Sequence, residues 1–463
     1  MNALAGAGRA VATIRPSREL YILGSVTALS AGSTITFGFL APASVALVVT
    51  ALVLMALSMS APDQPAGTAW WAAAGALTAS ASFVYAVRLA LPVEGVLAVA
   101  LVMAVVVVIA TTRPVTRWVA AAVAVTAVVG MAAAVWQWGV LNVDVFNSVQ
   151  NATWALLHGT NPYITTFATP VEATPSSVAF VNLHFQYLPG VALIAAPARL
   201  LGDVRVMSVV AAAALAAFAV RLALQSDTRR ERAVKVGAVC LALPMTVAMV
   251  HYALVDVFSM AGFAGWIALR RTHPRWAVAC LAVSLTIKPT ILVALVAPTL
   301  WSRRARREVS VAAVAAFVVI LPFLLITGAG AFYQDVIGVQ ASLGFRYNGL
   351  TLSAAWYALS GHLVPVWFGV LCGGAVAVFV LRRRPRDVGE VMQAGALLST
   401  AAFLLAKWAF LNYYFIPVWL LVLSLAGRGV LFETRPGDIA LPRLWPGALL
   451  ERKQLAAQPH GGA

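Results

Sequence analysis

The chain is poor in acid. Of its 463 residues only 16 are Asp or Glu, against 32 Lys and Arg, and charged residues of both signs make up 10%. Soluble domains average about 25% charged residues, so a water-exposed globular fold is excluded. The polar surface it would need is missing. Cysteine is equally scarce. Cys240, Cys280 and Cys372 all sit in apolar stretches, which excludes a disulfide framework and a cysteine metal site. Also missing are a Walker loop, a dinucleotide glycine pattern and a nucleophile elbow. His158, His184 and His251 lack metal-ligand spacing, and the expectation is that no metal and no other cofactor is required. No internal repeat marks the chain as a transporter built from two halves.

What is there is hydrophobic. Some 62% of the residues are apolar, mean hydropathy is +0.89, and runs of about 20 apolar residues recur along the length. These are helix-length runs, so a transmembrane β-barrel of short alternating strands is excluded as well. The sequence predicts an all-α polytopic membrane protein of about 12–14 transmembrane or re-entrant helices. The formal charge of +16 sits in short loops between these runs, where it fixes topology, and does not point to nucleic acid. Arg9, Arg15 and Arg18 precede further spans, so the N-terminus reads as a cytoplasmic tail before a first helix and not as a cleaved signal.

The charge pattern orders the helices. Tyr21–Ser60 is too long for one helix and divides near Ala41-Pro42. Spans follow at Trp70–Leu89, Val93–Ala110 and Val119–Val140. With Arg113 and Arg117 inside, five crossings place the stretch from Asn142 to Pro189 outside. That stretch is polar, aromatic and long, and loops of such length are either functional or disordered. Its Phe, Tyr, Trp, Leu and Val content favours a folded cap, with Asp144 at its root. Beyond it, Gly190–Leu201 and Met207–Leu224 precede a basic loop at Arg229–Lys235, so one of the two is a partial helix. The run Trp276–Trp301 is broken by Thr286-Ile287-Lys288-Pro289-Thr290, and two short helices meeting at Lys288-Pro289 would keep both basic flanks inside. Gly328–His362 forms a second outer segment, and Lys407–Tyr414 an outer turn. Both termini are inside. The expected divisions are 1–116, a four-helix extension; 117–427, the catalytic membrane domain with its large outer loop; and 428–463, a cytoplasmic tail.

The candidate chemistry follows from rarity. A carboxylate at a membrane edge under an aromatic loop is partly desolvated, which makes it a better base, so Asp144 leads, with a helix cap as its plain alternative. Asp256, near His251, is the second acid, with a structural ion pair as its alternative. Glu172 and Asp335 lie in polar loops and read as solvated. Lys288, Arg346 and Lys407 are the outer cations. Lysine deep in an apolar run needs an anionic partner such as a lipid phosphate. An outer-face enzyme has no cytosolic nucleotide donors, but can use sugars carried on a lipid phosphate. It then needs a cation for the phosphate, a base for an acceptor hydroxyl, and aromatic surface for sugar rings.

These residues resemble a known pattern. Asp144-Val145 followed by Gly159-Thr160-Asn161-Pro162-Tyr163 is similar to the first outer loop of GT-C glycosyltransferases. It resembles in particular the actinobacterial polyprenol-phosphate-mannose-dependent mannosyltransferases, where an acid precedes a G-x-(N/D)-P-Y run. Tyr187-Leu188-Pro189 resembles their Tyr-x-Pro. His251–Asp256, then Leu269-Arg270-Arg271, then Thr286-Ile287-Lys288-Pro289 resembles their order of Q-x-D, R-R and (L/I)-K-P, although His251-Tyr252 stands where the family often has Gly-Gln. The resemblance runs from about Val119 to Leu425. It implies a GT-C-like bundle and an inverting hexosyl transfer from a polyprenyl-phosphate-linked sugar, most simply mannose. The acceptor would be a glycolipid or polysaccharide of the cell envelope, at the outer face of the plasma membrane. Asp144 would be the base and Asp256 an auxiliary acid. Lys288, with Arg346 and Lys407, would serve the donor phosphate. Asn161, Tyr163, His184, Tyr187, His251, Asn348 and Tyr413 would line the substrate. An arabinofuranosyl donor, a lipid or sugar flippase, and a structural subunit without chemistry remain as alternatives.

Overall fold

A computed structural model describes residues 16–36, 38–67, 69–71, 73–78, 143–174, 177–226, 229–342 and 344–432. The expected spans at 93–110 and 119–140, most of that at 70–89, the boundary at 116 and nearly all of the tail lie outside the described residues.

The fold is an all-α membrane bundle with one small sheet. Helices α1 (Arg18–Thr34) and α2 (Pro42–Ser58) form a hairpin. Ser17 caps α1 by accepting from the Leu20 amide at 3.3 Å. Pro42 opens α2, where its missing N–H costs nothing. The polar, aromatic segment then folds as α3 (Asp144–Leu157), β1 (Phe167–Thr174) and β2 (Ser177–Leu183). The strands pair antiparallel from Phe167 opposite Leu183, with an irregularity between Glu172 and Thr174. In α3, Phe146, Val149, Ala152, Thr153 and Ala155 are buried, the three-to-four spacing of an amphipathic helix. So the cap is folded, as its aromatic content implied.

Helix α4 (Gly190–Leu200) has 11 residues and α5 (Arg205–Ala223) has 19. At 1.5 Å per residue α4 rises only about 16 Å, short of the roughly 30 Å apolar layer. It is the partial helix of the pair. Then come α6 (Arg229–Ala242), α7 (Pro244–His251), α8 (Asp256–Leu269) and α9 (Pro274–Leu285). After a break at Lys288 and a 3-10 turn at Pro289–Ile291 come α10 (Leu292–Trp301) and α11 (Arg303–Thr327). Short α12 (Ala329–Tyr333) and α13 (Val339–Ser342) flank a π-turn at Gln334–Gly338. The chain continues as α14 (Leu352–Ser360), α15 (Val366–Leu381), α16 (Val388–Leu404) and α17 (Leu411–Gly427).

Burial sorts these helices. Every residue of α17 from Tyr414 to Gly427 is buried, and α8 is buried from Asp256 to Ala268. A helix apolar on all sides belongs in the centre, and these two pack together there. Helix α1 packs on α17 and α2 on α16, so the N-terminal hairpin shares this core. By contrast α11 exposes Val311, Val314, Phe317, Val318, Leu325 and Ile326, a face suited to lipid. Only α5 and α11 are long and apolar enough to cross a membrane among the described residues.

The link between α7 and α8 is strained. Ala253 has φ of 54°, the left-handed region, and is the only non-glycine residue with positive φ among those described. Its amide donates to Val250 O at 3.1 Å, and the Leu254 amide to Met249 O at 2.8 Å. This is the paired closure that usually takes glycine after the cap. Ala253→Gly removes the Cβ clash and is expected to stabilise the protein by about 0.5–1 kcal/mol. A thermal melt in detergent reads it as a rise in midpoint, and a fall would contradict the left-handed placement.

Candidate active site

Three helices begin at one place. Asp144 is the first residue of α3, Asp256 the first of α8, and Asn412 and Tyr413 lie in the first turn of α17. Helix N-termini present unpaired amides and a partial positive charge, which favours carboxylates and bound anions.

Asp256 is fixed and buried. It is 1% exposed, and the Lys288 ammonium donates to both of its oxygens, at 3.1 and 3.3 Å. Asn412 donates its amide N–H to Oδ2 at 3.3 Å. Lys288 also lies 4.9 Å from the centre of the Tyr413 ring, a cation–π contact. Backbone breaks place this lysine. Helix α9 ends at Leu285, Lys288 is extended, and Pro289 cannot donate to the preceding turn.

The break docks on the end of the cap. The Leu188 amide donates to Ile287 O at 3.3 Å and the Gly190 amide to Thr286 O at 3.0 Å. Two segments nearly a hundred residues apart thus meet through their main chains. A Cβ at Gly190 would stand 2.0 Å from Thr286 Oγ1 and 2.7 Å from the Thr286 carbonyl, which is rigid backbone. Gly190→Ala is therefore expected to destabilise the protein by about 1–3 kcal/mol, the cost of overpacking. A thermal midpoint at the parent value would show that the two motifs do not touch.

Asp144 contrasts with Asp256. It is exposed, and the Val145 amide donates to its Oδ1 at 2.8 Å. Partial desolvation raises its pKa above the ordinary carboxylate value, opposed by that amide and by the nearby charges of Lys288 and Arg346. Burial, with Asp144, Asp256 and Tyr413 near it, pushes the Tyr187 hydroxyl well up, so Tyr187 is a neutral group. One cluster thus contains Asp144, Tyr187, Asp256, Lys288, Arg346, Asn412 and Tyr413.

Helix α3 is clamped so that Asp144 stays there. Gln150 donates to Gly202 O at 2.8 Å and accepts from the Val204 amide at 3.1 Å. Buried Arg205, paired with Asp203 at 2.6 Å, lies 4.8 Å from the Phe146 ring centre. The His251 and Tyr252 rings meet edge to face, 4.7 Å between centres, with Arg205 near His251.

The other expected residues lie around the cluster. Asn161 donates to Thr327 Oγ1 at 3.0 Å and accepts from the Tyr163 amide at 3.0 Å. Tyr163 is buried against Phe185, Phe323 and Phe332, and its hydroxyl donates to Tyr187 O at 2.5 Å. These two residues frame the cap. His184 faces Asp335, whose pKa burial raises against the pull of that histidine. Asp335 was expected to be solvated and is instead half-buried beside His184 and Tyr163. The Asn348 carbonyl accepts from the Leu40 amide at 2.8 Å, tying the segment before α14 to the α1–α2 hairpin. Lys407 donates to Ala341 O at 2.8 Å and lies 5.1 Å from the centre of the Trp408 ring. Asn412 was missed by sequence reasoning; its only signal was a polar amide in the aromatic run KWAFLNYY. Lys407–Tyr414 is also not all turn, because α17 already starts at Leu411. Arg270 sits at the far end of α8 from Asp256, where Glu308 accepts from it, from Arg304 and from Trp266. It is a structural charge network.

A buried acid–lysine pair thus lies beside an accessible acid and two tyrosines where three helices of the bundle begin. The sequence model of glycosyltransferase family 87 matches residues 185–430, more than half of the chain. The protein belongs to this family and is a membrane glycosyltransferase. No curated protein and no solved structure matches it. The matched region contains Tyr187, Asp256, Lys288, Arg346, Asn412 and Tyr413; Asp144 precedes it.

Proposed function

We propose that the enzyme moves a sugar, most simply mannose, from a polyprenyl phosphate to a glycolipid or glycan of the cell envelope. The observation that supports this is the placement of Asp144, an accessible acid at a helix N-terminus, within the field of the Lys288 and Arg346 charges. In this reading the donor phosphate sits against Lys288 and Arg346 at the helix N-termini. Lys407, on the second outer segment's side, meets the phosphate's lipid-proximal rim. Asp256 and Asn412 hold the Lys288 ammonium in place, so little reorganisation is needed when charge develops.

The reaction then balances simply. The acceptor oxygen attacks the anomeric carbon from the face opposite the phosphate and passes its proton to Asp144. The bond from that carbon to the phosphate oxygen breaks, its electron pair leaves with the polyprenyl phosphate, and the configuration inverts. Tyr187 and Tyr413 offer ring faces and hydroxyls to the sugar, while Asn161, Tyr163, His184, His251 and Asn348 shape the pocket from the cap and its supports. Asp256 serves instead to hold the lysine, because its oxygens already accept from Lys288 and Asn412. The site belongs to the extracytoplasmic face of a multi-pass plasma-membrane protein, with both termini cytoplasmic.

The test is reconstitution of the purified protein with radiolabelled polyprenyl-phosphate-mannose and membrane lipid acceptors. A mannosylated product with matching loss of donor supports the reading. Transfer from an arabinofuranosyl donor alone would overturn the sugar. Donor crossing the bilayer with no product would overturn transfer itself.

A further inference from the structure

A sizeable cavity lies away from this site. It has a volume of about 620 Å³ and lies where Arg18 of α1 meets the linker Arg382-Arg383-Arg384-Pro385-Arg386 between α15 and α16. Helix α16 joins the two regions: Glu390 in its first turn lines the cavity, and its far end precedes Asn412 and Tyr413. Its 17 residues separate the regions by about 25 Å. The cavity is therefore at the opposite end of the bundle.

Its charge is one-sided. Five arginines line it with a single acid, Glu390. That acid is already committed, to the Arg18 guanidinium and to the Arg386 amide at 2.7 Å. The Arg18 Nε is buried without a hydrogen-bond partner. Arg383 is held in place by the Ser60 hydroxyl, at 2.7 Å. Pro385 is buried and keeps the linker from continuing either helix. Charges that only set topology need no concave arrangement. Here they converge on a hollow whose wall includes Met59 and Trp301, the latter 3% exposed. A phosphate satisfies guanidinium forks, and an apolar wall suits an attached chain.

We infer that this cavity binds the phosphate group of an anionic lipid in the leaflet opposite the transfer site. The phosphate accepts from the exposed guanidinium groups of Arg384 and Arg386, and the glycerol and upper acyl carbons lie along Met59 and Trp301. The site is separate from the donor phosphate site and does not depend on which sugar is transferred.

The test measures phosphatidylglycerol binding by native mass spectrometry of the delipidated full-length protein, with phosphatidylcholine as the neutral reference. Arg384→Gln/Arg386→Gln changes two exposed cavity arginines. Arg303→Gln/Arg307→Gln removes the same charge from exposed positions outside the cavity. The expected result is a loss of about 10-fold or more in phosphatidylglycerol affinity for the first variant, and less than about 2-fold for the second. Equal losses in both would reduce the effect to general surface charge and overturn the site. No preference over phosphatidylcholine would do the same. Inorganic pyrophosphate that binds as tightly as the lipid would overturn the lipid assignment in favour of a free phosphate ligand.

Discussion

Asp144→Asn is expected to lower the transfer rate by about 10²- to 10⁴-fold, the usual contribution of a positioned base, while leaving donor affinity nearly unchanged. The side-chain oxygen of the replacement can still accept from the Val145 amide, and the two side chains are nearly the same size, so the local structure should be kept. The same residue fixes a pH dependence. A base must be deprotonated to act, so activity falls as pH falls through its pKa. Burial raises that pKa above the ordinary 3.8, and the acid limb of the rate profile is expected to lie correspondingly higher. In Asp144→Asn this limb should vanish from the residual activity. A variant that keeps the parent rate, or the parent acid limb, would move the base elsewhere.

Lys288→Met is the second large effect, and it begins with stability. The substitution leaves Asp256 buried with only Asn412 to face it. Breaking a buried pair from one side costs about 3–5 kcal/mol, although the pair as a whole contributes little against an apolar replacement. The thermal midpoint should therefore drop sharply in Lys288→Met. It should recover most of the way in Lys288→Met/Asp256→Asn, where no charge is buried alone. Transfer activity should not recover with it, because the cation that faces the donor phosphate is still missing. Parent stability in the single variant would contradict the pairing. A stable double variant with parent activity would remove Lys288 from the chemistry and leave it a structural role.

Several of these features were legible in the sequence. A Lys-Pro step inside an apolar run announced the break after α9, because neither residue sits comfortably in the middle of a lipid-crossing helix. The division at Ala41-Pro42 follows from the same reasoning. Scarcity exposed the acids, since a chain with 16 of them places few in apolar surroundings without cause. Other features were hidden by their local character. Strands β1 and β2 alternate weakly and include Pro170, so they read as loop until paired with each other. Helix α4 and helix α5 are equally apolar; only the turn at Gly202-Asp203 limits the first to partial length. Asn412 is one amide among aromatics, and its role exists only because α17 begins beside Asp256. Asp335 looked solvated because the fold of the cap over it, through His184 and Tyr163, is a long-range contact.

In the proposed mechanism the sugar arrives on a lipid phosphate held before Asp144 by Lys288 and Arg346. The most direct measurement offers purified, reconstituted protein the same mannose on two carriers, polyprenyl phosphate and a nucleoside diphosphate, with one acceptor extract. Product formed from the polyprenyl-phosphate sugar alone is the expected result. Product formed from the nucleotide sugar at an equal or greater rate would contradict it.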